Sequence, residues 1–290
     1  MSVDEKLVFL KKTKSPELNG KLFYSIPHDQ AMDASVSIRL RKKNTENFPL
    51  VAIILAKEED DYALNCHYLN NLLSRNLYPI FLKYDDENVS FELSRTKPAG
   101  ILLPGGSFHL PPKAIDAPPP TDGRIFDLRR YNVYKNSIDY SKKNKLPIFG
   151  ICAGMQMIAI GLGGKLIGHI NNVENPIHGD IEHKKDFIHK VNMERGSLLR
   201  KIVGTDSMDV ISRHNSKIVD KTEFNQNFKV SARAPDGVIE AIEPINPWSE
   251  FVLGVQWHPE AHADKDPIGP EARIFDAFAK AIYNKNLEIK

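Results

Sequence analysis

Gly150-Ile151-Cys152-Ala153-Gly154-Met155-Gln156 is a G-x-C-x-G motif set between an apolar run, LPIFGIC (146–152), and an apolar helical pattern, AGMQMIAIGLGG (153–164). A nucleophile at so sharp a strand-to-helix turn needs small neighbours two positions away on either side, because strand and helix converge there. The N-terminus of the following helix then aims its dipole and free N–H groups at the sulfur, which favours thiolate, and the Ala153 amide supplies one donor for an oxyanion. A free cysteine is commonly just a small buried hydrophobe; the strand–turn–helix setting raises Cys152 above that, whereas Cys66, inside an ordinary helical pattern, is read as structural. A thiol nucleophile also needs an imidazole within hydrogen-bond reach and a third group to orient that imidazole. Gly254-Val255-Gln256-Trp257-His258-Pro259-Glu260 follows the last clear apolar strand and supplies both, His258 as base and Glu260 as orienter, with Pro259 stiffening the turn. Leu103-Pro104-Gly105-Gly106 ends another apolar run, so Gly105 and Gly106 are candidate oxyanion donors beside Ala153.

These residues must be held at strand ends, and the chain has the pattern for it. FPLVAIILA (48–56), YPIFLKY (78–84), PAGILLPGG (98–106) and LPIFGIC read as buried strands, and YALNCHYLNNLLSRN (62–76), RIFDLRRYNVYKNSIDYSKKN (124–144) and AGMQMIAIGLGG as helices between them. Strand alternating with helix predicts an α/β fold whose mostly parallel central sheet carries helices on both faces. From Lys165 onward the patterns suit antiparallel strands, so a small antiparallel section is expected in the second half, with FVLGVQW (251–257) the last strand and RIFDAFAKAIYN (273–284) a closing helix. One catalytic domain is read over residues 49–285, preceded by an N-terminal extension (1–48) whose KLFYSI and SVSIRL segments could be strands. HLPPKAIDAPPPTDG (109–123) cannot be regular structure; it is a surface loop or a loop over the site.

Composition narrows the classes. The 290 residues are 41% hydrophobic and 26% charged, with a formal net charge of +2, which gives no electrostatic footprint for nucleic acid or an anionic membrane. Two cysteines argue against a disulfide framework, and MSVDEKLVFLKK is too short in apolar residues for a signal-peptide core; the expected compartment is the cytoplasm, with non-classical secretion left open.

The three motifs in order, LPGG, PIFGICAGMQ and GVQWHPE, resemble class I glutamine amidotransferases, closest to the gamma-glutamyl-gamma-aminobutyrate hydrolase branch grouped with C26 peptidases. SARAPDGVIEAIEPIN (231–246) is also similar to that branch. The resemblance implies a flavodoxin-like, doubly wound sheet, a Cys152–His258–Glu260 triad, and attack on a gamma-glutamyl amide through a glutamyl-thioester. It further implies substrate-binding positions at Gln156, Arg130, His214 and His189. The sequence departs from the branch at Ala153 (often arginine there), at Tyr131 (often aspartate) and in ISRHNS (211–216), so the resemblance speaks to the bond attacked more than to the compound carrying it.

Other patterns fail their context. Gly161, Gly163, Gly164 and Gly168 follow a helix instead of opening one, so no dinucleotide loop is expected and no cofactor is implied. Neither His178, His183 and His189 nor His258 and His262 are spaced as zinc ligands, so no metal is predicted. The expected function is a cysteine hydrolase acting on a small gamma-glutamyl compound; the alternatives are a glutaminase subunit feeding ammonia to a separate synthase, and a non-catalytic binding member of the fold. A homodimer is compatible with each reading.

Overall fold

A computed structural model of the chain describes residues 7–10, 48–58, 61–83, 87–106, 114, 127–168, 177–179 and 186–289. The KLFYSI and SVSIRL segments (21–26 and 35–40), nearly all of the Pro-rich stretch and His183 lie outside the described residues.

In chain order the elements are β1 (Leu7–Leu10), β2 (Leu50–Ile54), β3 (Ala56–Glu58), β4 (Asp61–Asn65), α1 (Cys66–Leu73), β5 (Tyr78–Leu82), α2 (Val89–Thr96), β6 (Gly100–Leu103), α3 (Leu128–Asn144), β7 (Ile148–Ile151) and α4 (Ala153–Gly161). There follow β8 (Leu166–Gly168), β9 (Phe187–Met193), α5 (Leu198–Val203), β10 (Ser207–Ser212), β11 (Ser216–Ile218), β12 (Phe228–Arg233), β13 (Ile239–Pro244), β14 (Val252–Val255), α6 (Pro259–Lys265) and α7 (Pro270–Ile289). The main sheet has the order β10-β9-β12-β13-β14-β7-β6-β2-β5. The pairings from β14 through β7, β6 and β2 to β5 are parallel; those joining β10, β9, β12, β13 and β14 are antiparallel. This is the expected α/β architecture, with an antiparallel wing four strands wide.

Successive residues of a strand face opposite sides of the sheet, and here both sides are covered. Val51, Ile53, Phe149, Ile151, Leu253 and Val255 pack with residues of α1 and α7. Ala52, Ile54, Ile101, Leu103, Ile148 and Val252 pack with residues of α2, α3 and α4. That is why these strands read as unbroken apolar runs. Phe149 centres one face, its ring 5.3 to 5.9 Å from those of Phe251, Phe275 and Phe278.

The structure corrects one assignment. The stretch from Tyr62 predicted as helix is strand through Asn65; β4 pairs antiparallel with β1 and with β3. Asn65 is the reason for the change: its side chain accepts the His67 N–H, capping a helix that begins at Cys66, as asparagine at an N-cap does.

Candidate active site

Ile151 is the last residue of β7 and Ala153 the first of α4, so Cys152 carries the whole reversal. Its backbone lies at φ 51°, ψ −108°. The other described non-glycine residues with positive φ are Asn76, Lys97 and Lys145. Lys97 and Lys145 are helix C-caps in the left-handed region; Cys152 lies outside that region. Such a conformation costs on the order of 1–3 kcal/mol and persists only where the surroundings enforce it. The enforcement is visible: Cys152 N–H donates to Val255 O on β14, and Gln156 N–H donates to Cys152 O.

The flanking glycines are required by contact. A Cβ on Gly150 would sit 2.6 Å from the backbone of Gly154, and one on Gly154 would sit 2.1 Å from the carbonyl oxygen of Leu103. Because that obstacle is main chain of β6, Gly154→Ala is expected to destabilise by at least about 3 kcal/mol, beyond most overpacking substitutions. A thermal unfolding midpoint lowered by several degrees is the predicted outcome; an unchanged midpoint would show that strand and helix do not meet as described.

His258 and Glu260 follow β14, the strand beside β7. His258 Nδ1 lies 2.8 Å from Glu260 Oε1, and the same ring is close enough to the Cys152 side chain to be influenced by it. The His258 backbone N–H donates to Ile211 O at the end of β10. Burial alone would push the His258 pKa down, but the Glu260 carboxylate and then the Cys152 sulfur outweigh it and hold it up at about 10. Burial likewise would raise the Glu260 carboxyl, and the His258 charge with its hydrogen bond holds it below the usual range instead. With these partners around it, the ring favours its protonated form.

Two side chains on α1 complete this arrangement and were not singled out in the sequence. Asn71, fully buried, donates to Glu260 O at 2.9 Å. The Tyr68 hydroxyl accepts the Gly105 N–H at 3.0 Å and lies beside Glu260; burial and then the Glu260 charge push its pKa well above the usual value. Both read as ordinary residues of an amphipathic helix, and only the fold brings them to the carboxylate.

The glycine turn is where it was expected, against Cys152 and His258: a Cβ on Gly105 would lie 2.8 Å from the His258 ring and 3.3 Å from Cys152 Cβ. Its predicted donor role needs correction, because the Gly105 N–H is already taken by Tyr68. Gly105 supplies space, leaving Gly106 and Ala153 as the donor candidates. Ala153 opens α4, and an amide in the first turn has no carbonyl partner within its own helix.

The expected substrate-binding residues are placed unevenly. Arg130, buried on α3, donates to Gly105 O and to the Tyr134 hydroxyl, both at 3.3 Å, and Tyr134 in turn donates to Pro104 O. It braces the glycine turn and lies where a side chain on Gly106 would have to be. Gln156 donates to Gln256 Oε1 at 3.1 Å, and Gln256, fully buried, donates to Cys152 Sγ at 3.6 Å. Gln256 sits inside the GVQWHPE motif, and nothing local marks it as reaching the sulfur. His189 and His214 turn their rings elsewhere, onto the buried Glu240 together with His178. That correction has a simple cause: β9, the chain after β10 and β13 converge on one buried carboxylate. Spacing along the chain predicts no metal there, yet the fold brings one donor atom of each of these four residues within 4.8 Å of the others.

Comparison with known proteins agrees with this architecture. Two solved structures superimpose over most of the chain. One is a GMP synthase subunit from Thermoplasma acidophilum, with a TM-score of 0.58 and 17% identity over 83% of this chain and 98% of that one. The other is the glutaminase domain of a Trypanosoma brucei CTPS with bound acivicin, with a TM-score of 0.57 and 18% identity over 80% and 94%. At such identity they establish the fold. The Peptidase C26 family profile matches residues 30–260, and the chain belongs to that family. Among curated relatives, the gamma-glutamyl-gamma-aminobutyrate hydrolase of Escherichia coli K12 is 30% identical over 82% of this chain and 95% of its own. A glutamine amidotransferase-like protein of Rickettsia prowazekii is 27% identical over 76% and 89%. Among the described residues, no helix is long and apolar enough to cross a membrane.

Proposed function

We propose that this protein is a cysteine hydrolase that cleaves the amide bond of a small gamma-glutamyl compound through a glutamyl-thioester on Cys152. The observation that carries the reading is the strained backbone of Cys152, which holds its sulfur against a His258 ring tied to Glu260. The hydrolase relative in Escherichia coli supports it. In the first half-reaction Sγ attacks the side-chain carbonyl carbon as thiolate, and the oxyanion forms against the Ala153 and Gly106 amides. Removing one such donor typically costs about 2.7–4 kcal/mol of transition-state stabilisation. As the C–N bond breaks, His258 gives its proton to the departing amine. The now neutral ring takes a proton from water, the hydroxide attacks the thioester, and the C–S bond breaks to restore the thiolate; the gamma-carboxylic acid leaves and gives its proton to solvent.

The second reading, a glutaminase subunit passing ammonia to a separate synthase, is favoured by the likeness to a GMP synthase subunit and to the glutaminase domain of a CTPS. Purified chain separates the two: the hydrolase reading expects turnover of gamma-glutamyl amides larger than glutamine with no partner present, and the subunit reading expects only slow glutamine hydrolysis. Acivicin, the ligand of the Trypanosoma domain, provides the test of the nucleophile. It should label Cys152, although Cys152 is the more buried of the two cysteines, and spare the half-buried Cys66. Equal labelling would remove the argument from the elbow.

A further inference from the structure

Apart from the proposed reaction, the antiparallel wing holds a second cluster of chemically capable side chains. His178 comes from the short segment 177–179, His189 from β9, His214 from just beyond β10 and Glu240 from β13. All four are at least nine-tenths buried. Glu240 Oε1 lies 3.3 Å from His178 Nδ1, 3.6 Å from His189 Nε2 and 3.3 Å from His214 Nε2.

The outer nitrogens decide what the inner ones can be. His189 Nδ1 is 3.1 Å from Lys190 O and His214 Nδ1 is 3.0 Å from Ser216 O. A carbonyl only accepts, so each outer nitrogen carries the hydrogen. His178 Nε2 is 2.8 Å from the Asp236 carboxylate and donates likewise. In neutral rings all three inner nitrogens are then bare lone pairs, crowded around a buried carboxylate. Without a cation that arrangement is repulsive. A hydrogen shared between His214 Nε2 and Glu240 Oε1 would satisfy that one contact. His178 Nδ1, His189 Nε2 and Glu240 Oε2 would still be buried with no hydrogen-bond partner.

We propose that His178, His189, His214 and Glu240 bind one divalent transition-metal ion of the zinc class. Four ligands at about 2.0–2.1 Å around a tetrahedral ion lie about 3.3 Å apart along each edge, which is the spacing found from Glu240 to two of the rings. Three imidazoles and one carboxylate suit zinc over calcium or magnesium, which prefer all-oxygen sites. The outer acceptors Lys190 O, Ser216 O and Asp236 are the partners that metal-bound histidines ordinarily have. With four protein ligands the site is closed, so its role is structural. It ties segment 177–179 and β9 to β13, where Glu240 O accepts the Gln256 N–H at 2.7 Å, one residue's reach from the Cys152 sulfur.

The test uses the full chain and the metal alone. Protein from zinc-supplemented culture should hold about one zinc per chain by elemental mass spectrometry. Glu240→Gln and His214→Ala should each bind zinc at least about ten-fold more weakly in a chelator competition, while Cys152→Ala keeps it. Folding of those variants does not limit the test, because chelator-stripped wild-type chain titrated with Co²⁺ should develop visible d–d bands with no thiolate charge-transfer band. Folded wild-type protein that yields no such bands would overturn the proposal. So would a thiolate band that vanishes in Cys152→Ala, which would put the ion on the nucleophile.

Discussion

Replacing His258 with alanine is expected to lower turnover of a gamma-glutamyl amide by about 10⁴- to 10⁶-fold, the range seen when one member of an interdependent nucleophile–base unit is removed. The size of the effect follows from the two jobs that the proposed reaction gives the ring. It carries the proton that the leaving amine must receive, and once neutral it activates the water that clears the thioester. No described neighbour can substitute. Gln256 reaches the sulfur but has no titratable proton, and Tyr68 is held well above its ordinary pKa by burial and Glu260. The side chain is mostly buried, 12% exposed, so the variant should be checked for an intact unfolding transition first. A folded His258→Ala protein retaining turnover within a few-fold of the parent would remove His258 from the reaction.

Glu260→Gln should cost roughly 10⁴-fold in kcat, as the loss of a tautomer-fixing carboxylate does, and it should also move the pH profile. The His258 pKa stands at about 10 because the charge of Glu260, and after it the sulfur, favours the protonated ring against the opposing effect of burial. Wild-type kcat/KM should therefore fall on the alkaline side as pH rises through about 10, where the ring loses its proton. A neutral amide at position 260 no longer stabilises the imidazolium, so the ring loses its proton at lower pH and the alkaline limb moves down. A reduced rate with an unmoved limb would mean that Glu260 only packs there.

Local motifs made much of this site legible. The buried strands announced themselves because a strand covered on both faces is apolar at every position, as β2, β6, β7 and β14 are. Cys152 was legible because the two glycines around it are demanded by backbone contacts only a few ångströms away. His258 and Glu260 were legible because they stand two positions apart in one motif. What escaped depends on chain ends meeting from afar. Tyr68 and Asn71 lie almost two hundred positions from Glu260, and on α1 they look like any buried helical face. The strand at Asp61–Asn65 was hidden because its Tyr-Ala-Leu pattern runs on without a break into the helix that Asn65 caps. The Gly105 amide was misassigned since its partner, Tyr68, could not be seen. The histidine cluster escaped for a related reason: metal-site spacing is recognisable when ligands sit in one turn or hairpin, and these four come from separate strands and loops.

The most direct measurement is an acid-quenched intact-mass experiment during turnover of a gamma-glutamyl amide. Cys152 as nucleophile predicts a glutamyl adduct on the wild-type chain, mapped to the peptide containing Cys152, lost on mild base treatment as a thioester should be, and absent from Cys152→Ala. An adduct on another residue, or undiminished turnover by Cys152→Ala, would contradict it.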